Sequence, residues 1–265
     1  MDYLFGQLNK IEELLRNKFI LLLLDYDGTL VPIAETPRKA VIRKETKELL
    51  QKLSKGSYCK IAIISGRSLV DIKNAVGVRD IIYAGNHGLE IEGPKIKFES
   101  LLSPRLKSVV RNIAQDFPKK LSGIKGVLFE DKGLTLSIHY RLAEEKDLPV
   151  LKGIISEVTY PYTVRNKIRI NSGKKVYEIR PPVNWDKGKV VLWLLGRVKF
   201  SAPERQIVPV YIGDDLTDED AFRALKRKGI TIFVGKPGHS VADYYLKDAR
   251  EVTKFLNLIL KQKGK

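Results

Sequence analysis

Two pairs of aspartates give the first indication of chemistry in this sequence. Asp25 and Asp27 directly follow the apolar run Phe19–Leu24, and Asp214 and Asp215 follow a second apolar stretch far along the chain. Carboxylates that converge repel one another unless a cation lies among them. A hard divalent cation bound by carboxylates and water fits such a set, and Mg²⁺ is the usual one where phosphate is the substrate. We therefore predict that all four carboxylates bind Mg²⁺.

The dipeptide Asp27-Gly28, taken by itself, has a simpler interpretation. Asp-Gly is a common turn sequence, because Asp bonds its own backbone and Gly tolerates a positive φ. The second pair of aspartates, at another predicted strand end, favours the metal site over a simple turn.

Ser65, Arg67 and Lys187 supply groups that can bind an anion. Ser65 and Arg67 follow the apolar stretch 60–64, so a hydroxyl and a guanidinium stand at a third strand end. Lys187 lies in the first turn of a predicted helix, where the macrodipole disfavours a cation. A phosphate and a carboxylate beside the ammonium would explain that placement, and an ordinary surface lysine is the alternative. Ser65 has a second possible role as the N-cap of a predicted helix 69–76, and both roles can hold together.

The apolar periodicity indicates which elements position these residues. Continuous apolar runs such as Phe19–Leu24 are typical of strands buried on both faces of a parallel sheet. They alternate with amphipathic helices, among them predicted helices over 3–17 and 218–228. Alternating strands and helices predict βαβ units, whose ligands bind at the carboxyl ends of the strands. This α/β core with a Rossmann-like parallel sheet is predicted to span residues 1–101 and 183–265.

The middle of the chain has a different pattern. Between residues 102 and 182, two predicted helices are each followed by a pair of short strands, and Asp131-Lys132-Gly133 forms one tight turn. Hairpins combined with two helices are typical of an α+β domain with an antiparallel sheet. We therefore predict an inserted α+β domain over 102–182.

Composition excludes several classes of protein. A chain of 265 residues, 43% of them hydrophobic, can bury a core without disulfides, and its one cysteine, Cys59, cannot form one internally. The longest apolar run is far shorter than the roughly 20 residues of a membrane-spanning helix. Charged residues near the N-terminus interrupt any signal-peptide pattern. We therefore expect a cytoplasmic protein with no membrane association.

The strongly positive net charge of +17 suggests an anionic partner. Nucleic acid, a membrane surface and a phosphorylated small molecule all qualify. The basic residues are spread evenly, the densest cluster is Lys226-Arg227-Lys228, and no zinc-finger, RRM or basic-zipper pattern accompanies them. We expect a small-molecule phosphate ligand rather than nucleic acid, and no obligate protein partner.

Four sequence boxes, in chain order, resemble the motifs of the haloacid dehalogenase superfamily of phosphotransferases. They are Asp25-Tyr-Asp27-Gly-Thr-Leu, Ser65-Gly-Arg67, Lys187-Gly188 and Gly213-Asp214-Asp215-Leu-Thr-Asp218. The resemblance implies that Asp25 attacks phosphorus to form an aspartyl phosphate, while Asp27 protonates the leaving oxygen and then activates water. It also implies that Ser65 and Lys187 hold the phosphoryl group. The chemistry agrees, because two displacements by a charge-neutralised carboxylate and then by water are each easier than one.

From about residue 19 to 236 the chain is also similar to the trehalose-6-phosphate phosphatases, enzymes of trehalose biosynthesis. The matching segments are Gly85-Asn86-His87-Gly88, Glu130-Asp131-Lys132-Gly133, His139-Tyr140-Arg141 and Val176-Tyr177-Glu178-Ile179-Arg180. The resemblance implies that the inserted domain is a cap over a sugar phosphate. By matching motif, three cap residues would contact trehalose hydroxyls: Glu130, Lys132 and Glu178. The further candidates for contacts with sugar or phosphate are Arg67, His87, Arg141 and Asp218.

Some of these candidates have simpler interpretations. His87, beside glycines, could be an ordinary loop residue, and Asp218 could be a first-turn acid of a helix capped by Thr217, with Asp220 closing a capping box. His139 and Arg141 are predicted on one face of a strand, which usually meets water and under a lid would meet sugar hydroxyls instead.

Three functions remain open on the sequence alone. The leading one is a Mg²⁺-dependent trehalose-6-phosphate phosphatase. A phosphatase for sucrose 6-phosphate or a glycosyl-3-phosphoglycerate would use the same core with a different cap. A non-catalytic polyanion-binding protein should lack a catalytic residue, whereas all four motifs are intact.

Overall fold

The computed structural model describes residues 1–100 and 104–263, which form strands and helices in two units. In chain order the strands are β1 (Asp2–Tyr3), β2 (Phe19–Leu24), β3 (Cys59–Ile64), β4 (Ile82–Gly85), β5 (Glu90–Gly93), β6 (Ile96–Glu99), β7 (Leu128–Asp131), β8 (Leu136–His139), β9 (Arg169–Gly173), β10 (Val176–Arg180), β11 (Ile207–Gly213), β12 (Ile230–Val234) and β13 (Tyr244–Leu246). The α-helices are α1 (Leu8–Leu15), α2 (Lys44–Lys55), α3 (Leu69–Val76), α4 (Pro104–Leu121), α5 (Leu148–Thr163), α6 (Lys187–Ser201), α7 (Glu219–Leu225) and α8 (Ala249–Lys263).

The first unit, Met1–Glu99 with Trp185–Lys265, is built on a nine-stranded sheet of order β1-β13-β12-β11-β2-β3-β4-β5-β6. The seven strands from β1 to β4 in that order are parallel, and β5 and β6 extend the sheet in antiparallel fashion. Along the chain the sheet grows from β2 toward β4 on one side and from β11 toward β13 on the other. The strand order therefore reverses between β2 and β11, and such a reversal opens a crevice at the carboxyl ends where ligands bind.

Strand β2 is buried on both faces, as its apolar sequence predicts. Ile20, Leu22 and Leu24 belong to a core that includes side chains of α2 and α8. The alternate residues Leu21 and Leu23 pack on the other side of the sheet with α6 and α7. Each buried leucine contributes about 1.5–3 kcal/mol through removal of apolar surface from water. Helices on both faces of a mostly parallel sheet confirm the predicted fold class of this unit.

The second unit, Ser100–Asn184, has its own sheet and core. Its four strands pair antiparallel in the order β7-β8-β10-β9, and α4 and α5 cover one face with apolar side chains. The opposite face is polar, and one cross-strand row places Glu130, Ser137, Glu178 and Asn171 side by side. The sequence predicts the insert over 102–182. Residues 101–103 lie outside the described part of the chain.

Several element boundaries differ from the sequence prediction for local reasons. The N-terminal helix predicted over 3–17 is wrong at its start, because Asp2–Tyr3 pairs with the parallel strand β13 and a 3₁₀ turn, Leu4–Gln7, precedes α1. The helix predicted over 218–228 is α7, Glu219–Leu225, preceded by a 3₁₀ turn. The hairpin of β5 and β6 was not predicted, because its short strands carry glutamates, lysines and a glycine in place of an apolar run.

Among residues 1–100 and 104–263, every helix is too short or too polar to cross a bilayer.

Candidate active site

Three neighbouring strands, β11, β2 and β3, end at the crevice. Asp214 follows β11, Asp25 follows β2 and Ser65 follows β3. The Asp25 backbone N–H donates to the Ile212 carbonyl at 2.9 Å, which extends the parallel register by one residue beyond the strand. Gly28 has φ +93°, and a Cβ at this position would overlap the Asp214 carboxylate. Glycine therefore allows the loop after β2 to approach the loop after β11.

Lys187 is the first residue of α6, and its ammonium lies between two carboxylates. Its Nζ donates to Asp25 Oδ1 and to Asp218 Oδ1, each at 2.7 Å. All three residues are almost completely buried, with 4%, 6% and 0% of their surface exposed. The two negative charges offset the unfavourable position of a cation in the first turn of a helix. The structure thus brings together the predicted nucleophile and the predicted lysine.

The charges around Asp25 act in opposite directions on its ionisation. Burial raises the pKa of Asp25 well above its usual range, Lys187 lowers it, and Asp218 and Asp214 raise it further. Burial by itself would lower the pKa of Lys187, but Asp218 and Asp25 outweigh that effect and hold the pKa above its usual value. The ammonium therefore stays charged, and additional positive charge near Asp25 would favour its ionised form.

The carboxylates of Asp25, Asp214 and Asp218 each place an oxygen within 4.8 Å of the others. Three carboxylates against the one ammonium of Lys187 leave two negative charges in a buried space. A divalent cation would balance them, and an all-oxygen donor set suits Mg²⁺. Because both oxygens of Asp218 already bind protein donors, Asp25 and Asp214 are the better candidates to hold the ion. The residues present therefore fit the predicted metal.

Both carboxylate oxygens of Asp218 accept hydrogen bonds from the protein. Its Oδ1 accepts from Lys187 and from the Tyr211 hydroxyl, and its Oδ2 accepts from the backbone N–H groups of Asp214 and Asp215 at 2.9 Å. Asp218 has no exposed surface, and its predicted role in substrate binding stays a prediction. The capping prediction is wrong, because the N-cap is Asp215, and Asp218 completes the capping box.

Asp27 is bound by Arg67 on both carboxylate oxygens. Arg67 Nε donates to Oδ2 at 2.7 Å and Nη2 donates to Oδ1 at 2.8 Å. The same guanidinium donates to Asp71 Oδ2 and to the Pro37 carbonyl, both at 2.8 Å, and lies 5.0 Å from the centre of the Tyr26 ring. These bonds occupy the guanidinium, and the predicted contact of Arg67 with substrate stays a prediction. Its observed role is to hold Asp27.

Two of the predicted metal ligands lie outside the buried carboxylate group. In the described part of the chain, that group contains neither Asp27 nor Asp215. Asp27 is paired with Arg67, and Asp215 Oδ1 accepts from the Leu216 backbone N–H at 2.7 Å at the start of the capped turn. Both carboxylates thus have protein partners, and their predicted role as metal ligands stays a prediction.

Ser65 and His87 meet through the backbone at the end of β3. Ser65 is buried, its Oγ accepts from the Arg67 N–H at 3.2 Å, and its carbonyl accepts from the His87 N–H at 2.9 Å. The N-cap of α3 is Ser68, which accepts from the Asp71 N–H, so the capping role considered for Ser65 is wrong. His87, itself buried, lies in the turn that follows β4.

The polar face of the second unit brings together three of its four predicted ligand residues. Lys132 Nζ lies 3.6 Å from Glu178 Oε1 and 4.0 Å from Glu130 Oε2. His139 Nε2 lies 3.0 Å from Glu130 Oε2, and Arg180 binds Glu178. We call these five residues the insert cluster.

Arg141 does not join the insert cluster. Strand β8 ends at His139, so Arg141 lies beyond the strand, is exposed, and donates to the Lys174 carbonyl at 2.8 Å. Its predicted place on the strand face beside His139 is therefore wrong, and with it the geometric argument for a sugar contact.

Sequence reasoning missed several residues that support the site. Tyr211 donates its hydroxyl to Asp218 at 2.6 Å, and burial raises the pKa of this phenol well above its usual range, with Asp218 adding to the effect. Asp71 and Tyr26 hold Arg67 from two sides. Tyr211 places a hydroxyl in an otherwise apolar strand just before Asp214, and this pattern could have indicated its contact with the site.

The family model described as trehalose-phosphatase matches residues 23–249. The chain belongs to the trehalose-phosphatase family. Trehalose-phosphate phosphatase B of Arabidopsis thaliana is 37% identical over 277 residues, covering 97% of this chain and 71% of the relative. The maize trehalose 6-phosphate phosphatase RA3 is 33% identical over 267 residues, covering 94% of this chain and 72% of that protein. These matches confirm the predicted family and the predicted class, a phosphoric monoester hydrolase.

Solved structures agree with this assignment of the trehalose-phosphatase family. A trehalose-6-phosphate phosphatase related protein superposes with a TM-score of 0.76 at 28% identity, covering 91% of this chain and 97% of the other. The C-terminal domain of the Candida albicans trehalose-6-phosphate phosphatase has the same fold, with a TM-score of 0.79 at 24% identity and 96% coverage of both chains.

Proposed function

We propose that this chain hydrolyses trehalose 6-phosphate to trehalose and phosphate. The observation that carries the proposal is the buried contact of Lys187 with Asp25 beside Asp214, in a chain of the trehalose-phosphatase family. This arrangement supplies a nucleophile, a fixed cation and a place for a metal at the crevice between β2 and β11.

In the first step Asp25 attacks phosphorus. Because Lys187 holds Oδ1, we assign the attack to Oδ2. The new O–P bond forms as the bond from phosphorus to the sugar oxygen breaks, and Asp27 donates its proton to that oxygen. The products are trehalose and an aspartyl phosphate on Asp25. Ser65 and Lys187 would bind the phosphoryl oxygens during the transfer.

In the second step Asp27 takes a proton from water, and the hydroxide oxygen attacks phosphorus. The O–P bond to Asp25 breaks, phosphate leaves, and both carboxylates return to their starting state. Arg67 orients the ionised Asp27 by donating to both carboxylate oxygens. The protonated group accepts these hydrogen bonds less strongly, so we expect Asp27 to rotate away from Arg67 when it carries a proton. Mg²⁺ held by Asp25 and Asp214 would neutralise charge on the phosphoryl group.

For the sugar we propose the insert cluster as the recognition surface. Glu130 and Glu178 can accept hydrogen bonds from sugar hydroxyls, and Lys132 can donate to them. Lys132 Nζ lies 3.6 Å from Glu178 Oε1 and 4.0 Å from Glu130 Oε2, so donor and acceptor groups stand close together on this surface. His87 remains a proposed contact for phosphate or sugar. Separately, the cytoplasmic location of the protein remains a prediction.

A phosphate-release assay on four sugar phosphates tests the proposal. Trehalose 6-phosphate, sucrose 6-phosphate, glucose 6-phosphate and mannosyl-3-phosphoglycerate are compared at equal concentration, each with Mg²⁺ and with EDTA. We expect the highest kcat/KM on trehalose 6-phosphate and reversible loss of activity with EDTA. A preference for one of the other sugar phosphates would show that the proposed substrate is wrong. Turnover that is unaffected by EDTA would show that the reaction needs no metal.

A further inference from the structure

Trp185 connects the boundary between the two units to the turn that carries His87. It is the first residue of the core unit after the insert, and Lys187 begins α6 two residues later. The indole is partly buried, and its Nε1–H donates to the Gly88 carbonyl at 2.7 Å. A side chain of this size at the entrance of the chain into the active site has no role in the mechanism described above.

The turn that accepts this hydrogen bond has an unusual backbone. Three consecutive residues have positive φ: Asn86 at 50°, His87 at 55° and Gly88 at 90°. For Asn and His the left-handed conformation is unfavourable, so it persists only where the surroundings hold it. The chain cannot keep this turn by its own preference.

Hydrogen bonds hold the turn at both of its ends. At the start, Asn86 N–H donates to the Arg67 carbonyl at 2.7 Å and His87 N–H donates to the Ser65 carbonyl at 2.9 Å. At the end, the Gly88 carbonyl accepts from Trp185. The first two bonds join the turn to Ser65 and Arg67, whereas the third joins it to the returning chain.

Gly88 is required for this contact on steric grounds. Its φ is positive, and an added Cβ would overlap a methyl group of Val190 in α6 and lie 3.1 Å from the Trp185 Nε1 atom. Any larger residue would therefore push the turn away from the indole. The close approach of backbone to indole is a feature of the local packing in this unit.

The indole is itself held by Phe98. The two rings stack with centroids 5.3 Å apart and planes inclined by 26°. Phe98 directly precedes Glu99, the last residue of the core before the insert, so the stack joins the outgoing and the returning segments of the chain. Trp193 of α6 packs on the same phenylalanine at 5.2 Å. A fixed ring gives its N–H a fixed direction.

We propose that Trp185 is a positioning residue for His87. Its indole N–H holds the end of the left-handed turn, while Ser65 holds the start, and so sets the place of the imidazole at the carboxyl end of the sheet. The proposal rests on the proposed function in one respect, that His87 contacts the substrate.

The test separates the hydrogen bond from the aromatic packing. Trp185→Phe keeps a ring against Phe98 and removes the donor, and Trp193→Phe is the matched control, because Trp193 packs on the same ring. We expect kcat/KM of Trp185→Phe to fall about tenfold, which corresponds to about 1.4 kcal/mol and to the loss of one hydrogen bond. The control should stay near wild type. Equal losses in the two variants would overturn the proposal.

A double-mutant cycle with His87→Ala shows whether Trp185 acts through His87. We expect the loss caused by Trp185→Phe to disappear in the His87→Ala background. A loss of the same size in both backgrounds would overturn the proposal, because it would place the effect elsewhere. Running the cycle on both trehalose 6-phosphate and p-nitrophenyl phosphate keeps the outcomes apart. If the wild type hydrolyses only p-nitrophenyl phosphate, the proposed substrate is wrong, and the cycle on p-nitrophenyl phosphate still tests the coupling of Trp185 to His87.

Hydrogen exchange gives a readout that does not depend on activity. We expect the amides of Asn86 and His87 to exchange faster in Trp185→Phe than in Trp193→Phe, because the turn loses one of its anchors. Unchanged exchange at these amides would show that Trp185 does not hold the turn, whatever the substrate of the enzyme is.

Discussion

Each unit of this protein places a lysine between two carboxylates, and the two arrangements differ in geometry. In the core, Lys187 donates to Asp25 and Asp218 at 2.7 Å each, and all three side chains are buried. In the insert, Lys132 lies 3.6 and 4.0 Å from Glu178 and Glu130, whose side chains are 14% and 26% exposed.

The difference follows from side-chain length and from burial. Aspartates at strand ends have few rotatable bonds, so the core lysine is fixed in a place where water does not screen its charge. Glutamates have one more rotatable bond each, and the Glu130 and Glu178 side chains are partly exposed. The same charges thus make a short, buried group in the core and a more widely spaced group in the insert, and this difference fits the proposed division of chemistry and sugar recognition.

The largest expected effect is the loss of turnover in Asp25→Asn. The amide is a poor nucleophile, so phosphate release should fall by at least about a thousandfold on both trehalose 6-phosphate and p-nitrophenyl phosphate. Circular dichroism should show an intact fold. Retention of more than a tenth of the activity on either ester would contradict the role of Asp25.

Asp218→Asn should destabilise the core strongly. The amide can accept from Lys187 or Tyr211, but its NH₂ group then faces the backbone N–H groups that Asp218 Oδ2 now binds. We expect a loss of about 3 kcal/mol in the free energy of unfolding, measured by urea titration, because a buried charge pair loses one partner. A loss below about 1 kcal/mol would show that the core group is no more rigid than the insert cluster.

Lys132→Met is the matching change in the insert and should have a small effect on stability. Glu130 keeps His139 and Glu178 keeps Arg180 as partners, and the methionine retains the apolar part of the side chain. We expect a loss of about 1 kcal/mol in the free energy of unfolding, in the same urea titration, since the lost contacts are long and both glutamates keep another partner. A loss equal to that of Asp218→Asn would remove the contrast between the two units.

The sequence was informative where chemistry and periodicity are local. The run Phe19–Leu24 ending at Asp25 predicts a buried strand and a polar rim, and both are present. The boxes around Lys187 and Asp214 indicated the family because the site residues of each short loop are close together in the sequence and form a local motif. The core fold and the presence of an inserted α+β region could be predicted in this way.

The contacts of individual charged residues could not be predicted, because they depend on which long side chain reaches which partner. Arg67 could have faced an anion, but the path of the chain through Pro37 and Asp71 places other acceptors around its guanidinium. Asp218 could have faced the crevice, but Gly213 lets it turn inward to the backbone of its own loop. Arg141 depended on where β8 ends, which no local pattern marks.

The substrate selectivity of Glu178→Gln tests the division between the two units most directly. The amide keeps the size of the side chain and removes its charge. We predict that kcat/KM falls about tenfold or more on trehalose 6-phosphate, since a hydrogen bond to a charged group is worth about 1.5–3 kcal/mol. On p-nitrophenyl phosphate, which has no sugar, it should change by less than about twofold. Equal losses on the two esters would contradict the proposal that the core performs the chemistry and the insert recognises the sugar.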